Sequence, residues 1–583
     1  MGYTERDWPE RQPMTHGPAA GSPPWRPAVC GLLLLACLIP RVWAAWNWKI
    51  LWGDALLYLH ASEALNQGDL HGAFSEFGLN LYTVILAGLL RLGDDWQTIA
   101  RCWSVAMATL AVLPLWGWIR RMFDDRTALI ACLAYAFHGK LVSIAPLIIR
   151  DSTFWFLFAS ALYCLWRAIV ELRLRWFLAA GAAITLALHT RTEGWLLLVV
   201  LLGWSAGRFV STKGDRLRLV AGTVLCLVLI PLSLEAVNAM WLRGDPQWDW
   251  MRPQHVRILK DWWQSWDAKP AEPAAPPPQK PFQDPVLAGE NERLGPGAET
   301  ASRIARPPHE SAAPAPPAAS PPMPTPAGPV EELSYGSEVW SRHWSTATFN
   351  RKLLIRLVRG YTYVGGLLTL LGMFVGWRVV LRREHLVLLL MGLILLAMIR
   401  VRYVLAGIDI RYFMPIVLLS LPWMARGVIE IAAWFARLGR PRAICCGLAV
   451  LTIWGSLADA GLPGARLMEG QAAIGQWIHE RLGPDRRIGG YFLGLDMVAY
   501  YAKGKNDGYI DPHLYDRQDA IDRFGRLDAD VLLVSLECPD AEVCAALASR
   551  IEEKYSYVRV RAEQLPKNCN EVIVLIRTQH APP

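Results

Sequence analysis

Apolar runs long enough to cross a bilayer recur along this chain, and they fix its class before any single residue is considered. Of its 583 residues 53% are hydrophobic and only 19% are charged. A soluble protein would carry about a quarter charged residues. The 28 tryptophans suit aromatic belts at the two water–lipid interfaces. The net charge of +8 reads as cytoplasmic Lys/Arg anchors, and no nucleic-acid partner is expected. The fold expected is therefore a polytopic α-helical membrane protein.

Spans are expected at about 28–46, 99–119, 127–146, 152–170, 176–190, 194–208, 219–240, 362–380, 384–400, 412–434 and 443–460. The polar stretch 1–27 reads as a cytoplasmic tail and the first run as a retained span, since no small-residue cleavage site closes it. With that orientation every short inner loop is basic: Arg120, Arg121 and Arg126; Arg173 and Arg175; Arg208 to Arg218; Arg378 to Arg383; Arg437 to Arg442. Counting Leu79–Leu92 as a further span would move all of these outside, so that segment reads as an interfacial or re-entrant helix within a structured outer loop, 47–98. The N-terminal membrane module is then 28–240, followed by an outer loop, 241–361, and by further spans over 362–460. Within that loop the Pro/Ala-rich stretch 270–329 has the composition of a disordered linker. The tail 461–583 alternates helical and strand patterns: Ala472–Arg481 and Ala541–Lys554 as helices, Val531–Ser535 and Glu571–Ile576 as strands. It reads as a small extracytoplasmic α/β domain, in which Cys538 and Cys544 lie close together with Cys569 beyond, so that one disulfide is expected and one thiol is left over. The cysteines in the apolar runs read as small buried hydrophobes.

Ionisable residues gather at the outer ends of the spans. Asp54, just after the first span in Trp52-Gly53-Asp54, reads as a helix N-cap, as a general base at the interface, or as both. Tyr58, four residues on, shares its helical face. Arg150 and Asp151 open the fourth span, as an interfacial ion pair or as a phosphate-binding guanidinium beside a second catalytic carboxylate. His189, Arg191 and Glu193 cluster at the end of the fifth span, anchoring it or serving function. Arg400, Arg402, Tyr403, Asp409, Arg411 and Tyr412 break the charge bias on the outer side, as snorkelling side chains or as a cradle for an anion. No zinc-type spacing, P-loop, dinucleotide fingerprint, HExxH or GxSxG pattern supports a soluble-cofactor enzyme.

The order of these motifs over roughly 28–460 resembles the GT-C superfamily of membrane glycosyltransferases. The features that carry it are Gly53-Asp54 with Tyr58, the interfacial Leu79–Leu92, Arg120-Arg121-Met122-Phe123, Arg126-Thr127-Ala128, Arg150-Asp151-Ser152, Thr190-Arg191-Thr192-Glu193-Gly194 and Arg411-Tyr412. Within it the dolichyl-phosphate-mannose protein mannosyltransferase and aminoarabinose transferase group (glycosyltransferase family 39-like) is most similar. The resemblance implies a GT-C-like fold, here of about eleven spans, with catalytic outer loops. It also implies a polyprenyl-phosphate-linked sugar donor and transfer with inversion to a glycolipid, glycan or protein hydroxyl. By motif, Asp54 takes the place of the family's first-loop acid, Asp151 that of its second acid, and Arg411 that of a basic group near the donor phosphate. Arg150, His189, Arg191, Glu193, Tyr58, Tyr82 and Tyr412 complete the expected substrate site. The chain has Asp54-Ala55 where the family has an Asp-Glu pair, and Leu79-Asn80-Leu81-Tyr82-Thr83 where it has Pro-Pro-Leu-Tyr-Pro. A divalent metal stays open as a cofactor. The expected location is a bacterial inner membrane. The rival readings are a transporter or flippase of lipid-linked glycans and a catalytically inactive scaffold.

Overall fold

The computed structural model describes residues 26–48, 51, 53–74, 78–93, 95–211, 214–241, 346–406, 409–437, 464–492, 494–509, 517–535, 541–566 and 572–580. The linker 270–329, the expected last span at 443–460, Cys538 and Cys569 lie outside them.

The described residues of the N-terminal half form helices joined by short turns. Helix α1 (Arg26–Asn47) is followed by α2 (Gly53–Asn66), a short α3 (Leu70–Phe74) and α4 (Leu81–Leu89). Next come α5 (Trp96–Leu110), α6 (Val112–Met122), α7 (Asp125–Phe137) and α8 (Gly139–Ile144). Then α9 (Asp151–Glu171), α10 (Leu174–Thr190), α11 (Leu196–Ser211) and α12 (Arg216–Trp241) follow. After the undescribed stretch the chain resumes with α13 (Thr346–Gly360), α14 (Val364–Val375), α15 (Trp377–Val380), α16 (Arg383–Ala406) and α17 (Met414–Arg437). Helix α13 falls within a region whose composition suggested only an outer loop.

Among the described residues five stretches have the length and composition of a span: Pro27–Asn47, Trp96–Met122, Asp151–Glu171, Thr192–Ser211 and Ile410–Ala436. Leu353–Gly360 and Val364–Val375, bent by 88°, make a sixth if taken as one broken span. The chain is thus an integral membrane protein, and the count of eleven is not recovered. The expected span at 362–380 is the second limb of that bend. The segment Leu81–Leu92 is a shorter apolar helix. Asn80 caps it, its side-chain oxygen accepting from the Tyr82 amide at 2.8 Å.

The expected third span, 127–146, does not run through. Helix α7 stops at Phe137, and His138, in extended conformation, caps the separate α8. The break is held from α1 by Arg41, which is fully buried. Its guanidinium donates to the Tyr135 carbonyl at 3.2 Å and the Ala136 carbonyl at 3.3 Å, and lies 4.6 Å from the Tyr135 ring centroid. The last carbonyls of a helix lack intrahelical donors and carry the negative end of its dipole, so a buried cation is stable there.

Two glycines bring α14 and α17 into backbone contact. A β-carbon on Gly372 would lie 1.9 Å from the Trp423 carbonyl oxygen, and one on Gly427 would lie 2.1 Å from that of Leu368. In a bilayer such close approach is what joins helices, because no hydrophobic force acts between them. Gly372→Leu is expected to separate the pair and lower the melting temperature in detergent by several degrees. A shift smaller than that of Gly392→Leu, whose β-carbon meets nothing within 4 Å, would contradict it.

The tail builds a five-stranded sheet in the order β2-β1-β3-β5-β4. Its elements are α18 (Gly464–Leu482), β1 (Arg487–Tyr491), α19 (Leu495–Tyr501), β2 (Lys505–Tyr509) and α20 (Arg517–Arg526). Strand β3 (Val531–Ser535), α21 (Ala541–Lys554), β4 (Tyr557–Arg559) and β5 (Val572–Arg577) complete it. Strands β1, β2 and β3 are parallel, and β5 runs antiparallel to β3 and β4. Strand side chains alternate between faces. Val531 and Leu533 therefore pack with Ile474 and Ile478 of α18, while Leu532 and Val534 pack with Phe524 of α20 and Leu547 of α21. Cys544 is buried in the second of these cores. Gly490 has φ +131°, and a β-carbon there would meet the Leu533 carbonyl oxygen at 2.2 Å, so only glycine fits.

Candidate active site

Asp54 lies in the first turn of α2, one residue inside the helix rather than at its cap. A carboxylate there is favoured by the helix dipole. Its partner comes from the other end of the membrane region: Arg411 Nη1 is 2.6 Å from Asp54 Oδ2. Arg411 sits in a 3-10 turn, Ile410–Phe413, whose N-cap Asp409 accepts from the Arg411 amide at 3.1 Å. Asp409 Oδ2 also lies 3.1 Å from Arg411 Nε, so two acids flank one guanidinium. The Asp54 side chain keeps 33% of its surface exposed and that of Arg411 13%.

A second ion cluster adjoins the first. Arg191, between α10 and the 3-10 turn Thr192–Trp195, donates Nε and Nη2 to both oxygens of Glu193, at 3.0 and 2.8 Å, and pairs through Nη1 with Asp151. A planar guanidinium suits this three-way bonding, which lysine could not reproduce. All three side chains are at most 5% exposed. Asp151 is thus held inside the protein, against Arg191. Tyr412 joins the clusters: Arg191 lies 5.0 Å and Arg411 5.4 Å from its ring centroid. Cations close to an aromatic ring are attracted by its negative face.

The floor is aromatic. Tyr58 and Tyr82 meet edge to face with centroids 5.0 Å apart, both buried. Burial lifts the Tyr58 hydroxyl well above the ordinary tyrosine range, partly offset by the Arg150 charge, so it stays a hydrogen-bond donor. Arg150 is half-buried at the head of α9, where its charge acts on both Asp151 and Tyr58. His189 does not join the group: its Nε2 lies 3.2 Å from Ser233 Oγ on α12. Arg400 is exposed, and the side chains of Arg402 and Tyr403 lie outside the described residues. Among the described residues no group of three or more His, Cys, Asp or Glu could hold a metal ion.

The C-terminal domain reaches this loop. The Leu51 amide donates to the Tyr501 hydroxyl at 3.2 Å, and Gln97 Nε2 donates to the Tyr500 hydroxyl at 2.7 Å. Nothing in the tail's sequence pointed to these tyrosines. Tyr501→Phe removes a hydrogen bond of about 1 kcal/mol. Amide exchange at Leu51 is expected to rise about fivefold, and an unchanged rate would refute the link.

The described residues thus build a bundle of membrane helices, the α2–α4 segment, a C-terminal α/β domain and acid–guanidinium pairs at helix ends, a fold shared with GT-C proteins of known structure. Residues 81–241 match the family described as dolichyl-phosphate-mannose-protein mannosyltransferase. The chain is similar to ArnT from Cupriavidus metallidurans bound to undecaprenyl phosphate, with a TM-score of 0.53, 14% identity, and 96% of this chain and 99% of that one covered. The apo state of the same protein matches with a TM-score of 0.50 and 14% identity over 95% of this chain and 100% of that one. The archaeal oligosaccharyltransferase AglB from Archaeoglobus fulgidus, in complex with an inhibitory peptide and a dolichol-phosphate, aligns over 96% of this chain and 75% of that one. There the TM-score is 0.49 and the identity 11%. No curated protein matches the sequence.

Proposed function

We propose that the protein transfers a sugar from a polyprenyl-phosphate donor to an acceptor hydroxyl, on the face of the membrane opposite its basic loops and with inversion. The observation that carries this reading is the pairing of Asp54 with Arg411, which, with the Asp409 contact beside it, stays partly open while the Arg191 cluster is closed. The similarity to ArnT bound to undecaprenyl phosphate supports a lipid-phosphate donor.

The reaction breaks the anomeric C–O bond to phosphate and forms one to the acceptor oxygen. Arg411 supplies the charge that stabilises the departing phosphate. A donor phosphate competing for Arg411 draws it from Asp54 and frees the Asp54 carboxylate to take the acceptor's proton. Asp151 and Glu193 fix Arg191 under Tyr412, which keeps Arg411 in place. Attack from the side opposite the phosphate inverts the anomeric centre.

The test is a mass-spectrometric comparison of glycolipids and glycoproteins from cells with the gene, without it, and with Asp54→Asn in its place. A sugar-sized mass difference present only with the wild-type gene is expected, and it names the sugar and the acceptor. Restoration by Asp54→Asn would rule the mechanism out and favour a transporter or scaffold.

A further inference from the structure

At the opposite ends of the same helices, α11 and the start of α16 form a wedge against α9. Their backbones meet at Gly203, where an added β-carbon would fall 2.7 Å from Val387 Cγ2. One turn further on they have parted, and a β-carbon on Gly207 would meet no heavy atom within 4 Å. The resulting cavity is about 150 Å³ and is lined by Trp166, Trp204, Gly207, Arg208, Arg383 and Glu384 among others. Its wall is rigid: the two tryptophan rings lie edge to face at 5.2 Å, and Trp204 Nε1 donates to the Glu384 carbonyl at 2.9 Å. Arg208 is half-buried and Arg383 exposed. With Glu384 the lining carries one net positive charge, which complements a phosphodiester monoanion. Leu202 of α11 and Leu386 and Leu390 of α16 are exposed at 50%, 39% and 50%, so apolar surface continues from the cavity along both helices. The charge pattern assigns this end to the cytoplasmic side.

We propose that this wedge binds one anionic phospholipid of the cytoplasmic leaflet. Its phosphodiester lies between Arg208 and Arg383, its glycerol and first acyl carbons lie against Trp166 and Trp204, and its chains run along the α11–α16 seam. Basic pockets between helices at the cytoplasmic surface select lipid head groups in this way. Such a site is independent of the sugar-transfer reaction.

Delipidated full-length protein is given phosphatidylglycerol or phosphatidylethanolamine at equal concentration and examined by native mass spectrometry. One phosphatidylglycerol is expected to stay bound at energies that strip phosphatidylethanolamine. The double variant R208Q/R383Q and the cavity-filling G207F are each expected to retain at least tenfold less, while R208K/R383K, which keeps the charges, retains it. Equal retention by wild type, R208Q/R383Q and G207F overturns the proposal, as does equal retention of the two lipids.

Discussion

Asp54→Asn is expected to lower sugar transfer by about 10²–10⁴-fold, the range for loss of a general base. The change is nearly isosteric and keeps an oxygen toward Arg411, whose second acid, Asp409, remains. Melting temperature should therefore move by no more than a few degrees. Asp54→Ala lowers transfer as much, and Asp54→Glu restores part of it. Rates are measured on purified protein once the mass difference has named donor and acceptor. Transfer within a fewfold of wild type in Asp54→Asn would move the base elsewhere.

Arg191→Leu is expected to have the largest effect on stability. It leaves Asp151 and Glu193 buried without their cation, and breaking a buried pair costs about 3–5 kcal/mol. In detergent this should lower the melting temperature by roughly 10 °C or prevent isolation of folded protein. The triple variant Asp151→Asn, Arg191→Leu, Glu193→Gln removes the stranded charges and should recover much of the loss, since an uncharged replacement of the whole group is often tolerated. Arg191→Leu melting within about 2 °C of wild type would show that the cluster is not the fixed support assigned to it. Transfer by the triple variant separates the two duties of the cluster. Stability regained without activity is the outcome expected if Arg191 orients Tyr412 and Arg411.

The class of fold was legible in the sequence because length and apolarity decide which helices a bilayer accepts, and α1, α9 and the limb around α11 follow from that alone. The membrane break at His138 was less so. The signals were there, His138-Gly139 and Arg41 inside apolar runs, but a 20-residue window averages over a polar pair. That Arg41 would cap α7 needs the third dimension. Most positions of the candidate site were readable, His189 excepted, since acids and arginines at span ends stand out against the short basic loops. Its pairing was not. Asp54 and Arg411 are joined by no local periodicity, and the arginine that meets Asp151 lies after a different helix. In the tail, β3 and β5 read clearly as Val/Ile/Leu runs, whereas β1 was hidden by Gly489-Gly490, which a strand tolerates only where a neighbouring backbone comes this close.

Binding of undecaprenyl phosphate to purified wild type, Arg411→Gln and Asp54→Asn tests most directly whether these two side chains share one lipid-phosphate site. Arg411→Gln is expected to bind at least tenfold more weakly than wild type, and Asp54→Asn at least as tightly, because the guanidinium is no longer held by a full carboxylate. Equal affinity of Arg411→Gln and wild type would contradict the account at its centre.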